Sequence, residues 1–319
     1  MKKPIGGFYE SLIPMKSFDY HREANYLTNG RACIRTIILN ENITKCYIPN
    51  YTCDAVFHPF LLEKIDIEFY NINSYLKPAK LPELKEGEYF FYINYYGVKN
   101  DVVAELTEKY GKKLIIDNTH AFFQKRIEGN WSFTSARKYF GVPDGAFLYS
   151  PKKIKNNSER FADYNVSHNI ERLKGRQSDA FNLYRDYEES LNSEIKLISI
   201  YSEKMLSLVD IDYVIKKRKE NFSILHEHLK SSNKFEFSQE EDFVPFCYPY
   251  LPESEINKKV FYEENIFIPL LWQDPQNRLE ISNHFELKLS KCLLPIPIDE
   301  RYGKEDMEIL LRLIKNNIK

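Results

Sequence analysis

Along the first 150 residues, short apolar runs alternate with stretches whose apolar positions recur every three or four residues. The runs at 45–49, 65–70, 89–94, 113–116 and 146–150 predict strands, and the stretches at 30–39, 54–64 and 101–110 predict helices. The run Tyr89-Phe90-Phe91-Tyr92-Ile93 is apolar at every position, the signature of a strand covered on both faces. This alternation predicts an α/β fold on a large, mainly parallel sheet. From about 178 to 230 the pattern turns helical, with Leu183, Tyr187, Leu191, Ile195 and Ile198 at spacings of three or four, predicting a long helical connector. The rest returns to short strand-like runs at 243–250, 266–269 and 293–298, interleaved with helices ending at Lys315. It predicts a small α+β domain, hence a division into residues 1–230 and 231–319. The polar stretch 152–159 reads as a solvated loop.

Composition narrows the chemistry. Hydrophobic and charged fractions of 43% and 29% are those of a globular chain. Forty-five basic residues against 46 acidic ones remove the electrostatic basis for binding nucleic acid or an anionic membrane. No run approaches the roughly 18 to 20 apolar residues that cross a bilayer. The basic start Met1-Lys2-Lys3 has no apolar segment behind it, so a secretion signal is not expected. Cys33, Cys46, Cys53, Cys247 and Cys292 lack metal-ligand spacing and suit a reducing cytoplasm, and no metal is expected. Glycine is scarce, 11 in 319 residues, so each one tends to mark a place where the backbone requires it.

Four segments carry candidate chemistry, and a fifth belongs with the last of them. In Lys113-Leu114-Ile115-Ile116-Asp117-Asn118-Thr119-His120 an apolar strand ends abruptly in a carboxylate, at the sheet edge where open α/β folds bind ligands. An Asp there also serves as a helix cap or turn residue. In Ser135-Ala136-Arg137-Lys138-Tyr139-Phe140-Gly141 a lysine sits before two aromatic residues and a glycine; an apolar surround lowers an amine's pKa, as a Schiff-base lysine requires. A basic turn closing an element is the plainer reading. Thr28-Asn29-Gly30-Arg31 precedes a helix, whose first amides suit a phosphate, although most Asn-Gly pairs are simply turns. Ile48-Pro49-Asn50-Tyr51-Thr52-Cys53 and Tyr95-Tyr96-Gly97 decorate two further strand ends. Neither a Gly-x-x-x-x-Gly-Lys-Ser/Thr nor a Gly-x-Gly-x-x-Gly nor a Gly-x-Ser-x-Gly occurs. His226-Glu227-His228 lies in a helical run, where positions i and i+2 face apart, so it does not suit zinc.

Taken in order, these segments resemble the fold-type-I pyridoxal-phosphate enzymes, and among them the DegT/DnrJ/EryC1/StrS sugar aminotransferases. The resemblance covers residues 25–150 best and extends loosely to Arg218-Lys219-Glu220-Asn221 and Leu294-Pro295-Ile296-Pro297. It implies a cofactor, pyridoxal 5′-phosphate, bound covalently by Lys138, which would also shuttle a proton at the substrate carbon. Asp117 would pair with the protonated pyridine nitrogen and His120 would lie near the phenolic oxygen. Gly30 and Arg31 would offer amides, and Ser135 a hydroxyl, to the phosphate, while Tyr51, Thr52 and Cys53 would pass over the ring face. The family carries an aromatic residue where Cys53 stands, which leaves Tyr51 and His120 as alternative ring partners. The interval of 21 positions from Asp117 to Lys138 implies a trimmed hairpin, and Val142-Pro143-Asp144-Gly145 replaces the usual Thr-Gly-Glu-Gly-Gly. The implied reaction takes an amino group from an amino-acid donor to a nucleotide-linked keto-sugar, in a homodimer. Another reaction on the same cofactor, or a catalytically silent relative, is the alternative. Gly6-Gly7-Phe8-Tyr9-Glu10 has no counterpart in the pattern.

Overall fold

The structure is a computed structural model that describes residues 16–154, 159–237, 243–278 and 284–317; the Gly6-Gly7-Phe8-Tyr9-Glu10 motif lies outside them. Among the described residues, seven strands form one sheet. They are β1 (Asn25–Leu27), β2 (Lys45–Pro49), β3 (Asp66–Tyr70), β4 (Glu88–Ile93), β5 (Leu114–Asp117), β6 (Trp131–Ser135) and β7 (Ala146–Tyr149), in the order β1-β7-β6-β5-β4-β2-β3. Pairing is parallel from β3 to β6. β7 runs against β6, and β1 against β7, so β1 points the same way as β6. The mainly parallel sheet expected from the pattern is present.

Its centre explains why the apolar runs are continuous. Phe90, Phe91 and Tyr92 of β4 and Leu114, Ile115 and Ile116 of β5 are wholly buried, each worth roughly 2–3 kcal/mol over exposure. The edge strand β3 alternates Asp66, Glu68 and an exposed Phe69, and its charges discourage further pairing. Helices α1 (Gly30–Asn40), α2 (Phe57–Leu62) and α3 (Asn100–Tyr110) follow β1, β2 and β4. α1 is capped by Asn29, whose Oδ1 accepts from the Ala32 amide at 2.9 Å, and it buries Ala32, Cys33, Ile34 and Ile37.

β1 and β6 were not foreseen. β6, Trp-Ser-Phe-Thr-Ser, is half polar, yet every residue is buried; Thr134 and Trp131 find hydrogen-bond partners, while the Ser132 hydroxyl has none among the described residues. Thr134 donates to the Asn118 carbonyl at 2.8 Å, and the Trp131 indole donates to Glu41 at 2.8 Å. The helical connector is also different from expectation. It comprises α4 (Ser167–Leu173), α5 (Gln177–Ser190), α6 (Ile200–Leu206) and α7 (Ile211–Leu229), with an extended strap at 191–199. Leu191 and Ile195 therefore lie outside any helix. The strap is held along β1, where Thr28 donates to the Lys196 carbonyl and Ile198 to that of Tyr26, both at 3.2 Å. It ends where Asp144 accepts from the Ser199 amide at 2.6 Å and from the Ser199 hydroxyl at 2.5 Å, fixing the start of α6.

Beyond α7 a two-stranded antiparallel ribbon of β8 (Tyr248–Tyr250) and β9 (Leu294–Ile296) is joined by α8 (Lys259–Tyr262), α9 (His284–Cys292) and α10 (Lys304–Asn317). Residues 266–269, expected as a strand, are irregular. Phe222, Leu225 and Leu229 of α7 pack in one cluster with Met307, Leu310, Leu311 and Ile314 of α10. No helix among the described residues is long and apolar enough to cross a membrane.

Candidate active site

Strands β1, β2, β4, β5 and β6 share one direction, so their C-terminal ends form a single sheet edge, the place where such folds bind ligands. The Asn29–Arg31 helix start, the Tyr51–Cys53 segment, the Tyr95–Gly97 turn, Asp117 and the Ser135–Lys138 turn all leave the sheet there. A cleft of about 220 Å³ opens at this edge, lined by six of the expected residues: Gly30, Arg31, Cys53, Asp117, Ser135 and Lys138. A larger groove of about 550 Å³, between residues 16–20 and 207–212, contains none of these groups.

Asp117 is the last residue of β5 and is buried, with Oδ1 accepting from the Thr119 amide at 2.8 Å. Burial pushes its carboxyl up to about 6, against the Thr119 hydrogen bonds and the Lys138 charge, which favour ionisation. Lys138 ends the short turn Ala136–Lys138 and is exposed. Ala136 pairs with the Gly145 carbonyl at 2.9 Å, which pins the turn to the sheet edge. Among the described residues Lys138 makes no hydrogen bond or ion pair, while its charge acts on Cys53, Asp117, His120 and Glu188. At the other side of the cleft Asn29 satisfies the amides of Ala32 and Cys33, so Gly30 and Arg31 keep their amides free of intrahelical acceptors. The Ser135 hydroxyl has only a long, 3.5 Å contact with the Gly145 carbonyl. Burial raises the Cys53 thiol pKa, and the nearby lysine lowers it.

Tyr51, Thr52 and His120 stand behind the lining. The Tyr51 hydroxyl meets that of Tyr96 at 3.0 Å, and burial raises its pKa. Thr52 is buried, with its carbonyl accepting from Arg278. The His120 ring is sandwiched between Phe246, at 4.4 Å between centroids, and Trp272, at 5.0 Å, each within 11° of parallel. Both of its faces are thus covered by protein. Burial, followed by the Lys138 charge, drives its pKa well down and keeps the imidazole neutral. Gly97 makes this packing possible: with φ of +71°, a Cβ there would sit 2.3 Å from the His120 carbonyl oxygen.

Three participants were not legible in the sequence. Trp272 takes φ of +52°, unusual for a bulky residue, and is held there by rings of Tyr51, Tyr95 and His120 within 5.5 Å. Arg137 and Glu188 line the cleft and form an ion pair. Arg137 was visible only as the neighbour of Lys138; Glu188 carried no signal, because it arrives from α5.

No family model and no curated protein sequence matches the chain. Its fold does match solved structures. One is the sugar aminotransferase CalS13 from Micromonospora echinospora, with a TM-score of 0.64, 12% identity, and 93% of this chain and 88% of that chain covered. A second is a DegT DnrJ EryC1 StrS aminotransferase from Brucella abortus, with a TM-score of 0.63, 12% identity, and coverage of 94% and 89%. A GDP-4-keto-6-deoxymannose-3-dehydratase is comparable, at 0.62, 11% identity, and 94% and 93%. The fold is that of the fold-type-I pyridoxal-phosphate enzymes, the group that the sequence segments resemble.

Proposed function

We propose that this chain is a pyridoxal-phosphate-dependent aminotransferase that moves an amino group from an amino-acid donor to a nucleotide-linked keto-sugar. The observation that carries the reading is an exposed, unpaired lysine sharing one small cleft with a buried strand-end carboxylate and a helix start with two free amides. The donor set fits the cofactor group by group. The Asp117 carboxylate, costly to ionise alone, gains a partner in a protonated ring nitrogen, and the free amides of Gly30 and Arg31 with the Ser135 hydroxyl suit a phosphate. Bound there, pyridoxal phosphate supplies an electron sink for carbanion chemistry beside the substrate amine.

In this reading the Lys138 amine would hold the cofactor covalently and would serve as the acid–base group at the substrate carbon. Asp117 would hold the ring nitrogen in its protonated form. Cys53, which lines the cleft, would face the ring, and Tyr51 and Thr52 would fix the segment that presents it. His120, clamped and neutral, supports the cleft from behind. Substrates are small molecules, and the working unit is a homodimer, with residues 1–230 holding the cofactor and 231–319 forming the smaller domain. The names of the similar structures support the sugar-linked chemistry.

The test is a titration of purified protein with pyridoxal phosphate, followed by incubation with 15N-glutamate. A visible absorbance band and transfer of the label to the cofactor are expected. A band without label transfer would replace transamination by another reaction, such as dehydration. Absence of any band would remove the cofactor reading.

A further inference from the structure

The cleft contains three cationic side chains, Arg31, Arg137 and Lys138, around one carboxylate from outside the sheet, that of Glu188. The Arg31 guanidinium donates through Nη1 to the Leu191 carbonyl at 2.6 Å, in the cleft wall. Arg137 is engaged by Glu188 itself, lies 5.7 Å from the Tyr187 ring centroid, and has a buried Nε without a partner among the described residues. The two partners differ in their surroundings: the Arg137 side chain is 12% exposed and that of Glu188 is 32% exposed. Glu188 is therefore the more solvent-accessible partner and Arg137 the more enclosed one.

The backbone beneath Glu188 is not free to withdraw. Asn29 donates to the Asn192 carbonyl at 3.2 Å, and Ser193 meets His58 at 2.6 Å, so the strap after α5 is tied across the helix start. Exchange at this position is therefore a side-chain movement. A buried guanidinium requires an anion, and loss of its carboxylate without replacement is strongly unfavourable. A phosphate bound at the Gly30 and Arg31 amides brings a second negative charge to the same cleft and competes with Glu188 for Arg137.

We infer that Arg137 is a phosphate-binding residue of this cleft, and that Glu188 is a built-in stand-in anion, displaced towards solvent when a phosphate-bearing ligand enters. The inference rests on the cofactor reading for the identity of that ligand. Only side-chain rotation and ion-pair exchange are involved; no covalent bond changes. α5 thereby couples occupancy of the cleft to the position of one carboxylate.

The test compares wild type, Glu188→Gln, Arg137→Gln and Arg137→Lys by fluorescence titration with pyridoxal phosphate, pyridoxal and inorganic phosphate, without substrates. Glu188→Gln removes the competitor, so pyridoxal phosphate and inorganic phosphate should bind about tenfold more tightly, with pyridoxal unchanged. Arg137→Gln should weaken the two phosphate-bearing ligands by about tenfold and again spare pyridoxal, with partial recovery in Arg137→Lys. Unchanged or weaker phosphate binding in Glu188→Gln, or equal loss of pyridoxal and pyridoxal phosphate in Arg137→Gln, overturns the inference. If the proteins ignore pyridoxal phosphate but bind inorganic phosphate with this dependence on Arg137 and Glu188, the cofactor reading fails and the anion site stands. If neither wild type nor Glu188→Gln binds either phosphate, the anion site falls too.

Discussion

Replacing Asp117 by Asn should make the cofactor-free protein more stable and the enzyme slower. The carboxyl lies at the end of a central strand, and its ordinary value of 3.8 is raised to about 6, chiefly by burial. That difference corresponds to about 3 kcal/mol of cost for folding with the group ionised. Below pH 3.8 the carboxyl is protonated in both folded and unfolded chains, and the cost is absent. It grows as pH rises from 3.8 to about 6 and is complete above that, so wild-type stability falls with rising pH across this window. Asn keeps an oxygen for the Thr119 amide, now 2.8 Å away, and carries no charge to desolvate. At about 2.1 cal/mol/K per residue over 319 residues, 3 kcal/mol is worth about 4 °C in Tm. Thermal melts of the cofactor-free proteins should therefore show Asp117→Asn about 4 °C above wild type near pH 7.5 and nearly level with it near pH 4. Turnover of the loaded variant should fall at least tenfold, about 1.4 kcal/mol of barrier, because the neutral amide cannot hold the ring proton. A variant no more stable than wild type at pH 7.5, or a gain independent of pH, would refute the charge-burial argument; full turnover would refute the ring-nitrogen role.

Lys138→Ala should lose the visible band of bound pyridoxal phosphate and all turnover while shifting Tm by no more than about 1 °C, since an exposed, unpaired side chain carries little stability; a retained band would move the covalent link to another lysine. Gly97→Ala should cost at least about 3 kcal/mol, or abolish folding, because a methyl group cannot sit 2.3 Å from the His120 oxygen at a φ of +71°; a wild-type melt would contradict that close approach. The His120 ring should remain neutral throughout pH 5–8, so its NMR shifts should stay constant there; a titration in that range would show that the sandwich with Phe246 and Trp272 opens. Sedimentation at micromolar concentration should give about 76 kDa, twice 38.0 kDa; an active monomer would remove the dimer.

The sequence by itself determined the central sheet and the order of its chemistry. Uninterrupted apolar runs such as Phe90–Ile93 and Leu114–Ile116 can be stable only where both strand faces are covered, and that requirement is readable in one dimension. Asp117 was visible because it ends such a run, Lys138 because two aromatic residues and a glycine follow it, and the Gly30–Arg31 helix start because a polar pair and a glycine precede a helical stretch. β6 was hidden because it is half polar, and the hydrogen bonds of Thr134 to Asn118 and of Trp131 to Glu41 that help to bury it cannot be read from the pattern. The periodicity of Leu191, Ile195 and Ile198 looked helical, but cross-chain bonds from Thr28 and Ile198 draw that segment out as a strap along β1. Tertiary structure alone decided which residues share the cleft. It set His120 behind the wall between Phe246 and Trp272 and brought Glu188 across to Arg137, 51 positions away. Periodicity reports which face of an element is buried, whereas an ion pair between two elements depends on how they pack, and that is fixed only when the whole core closes.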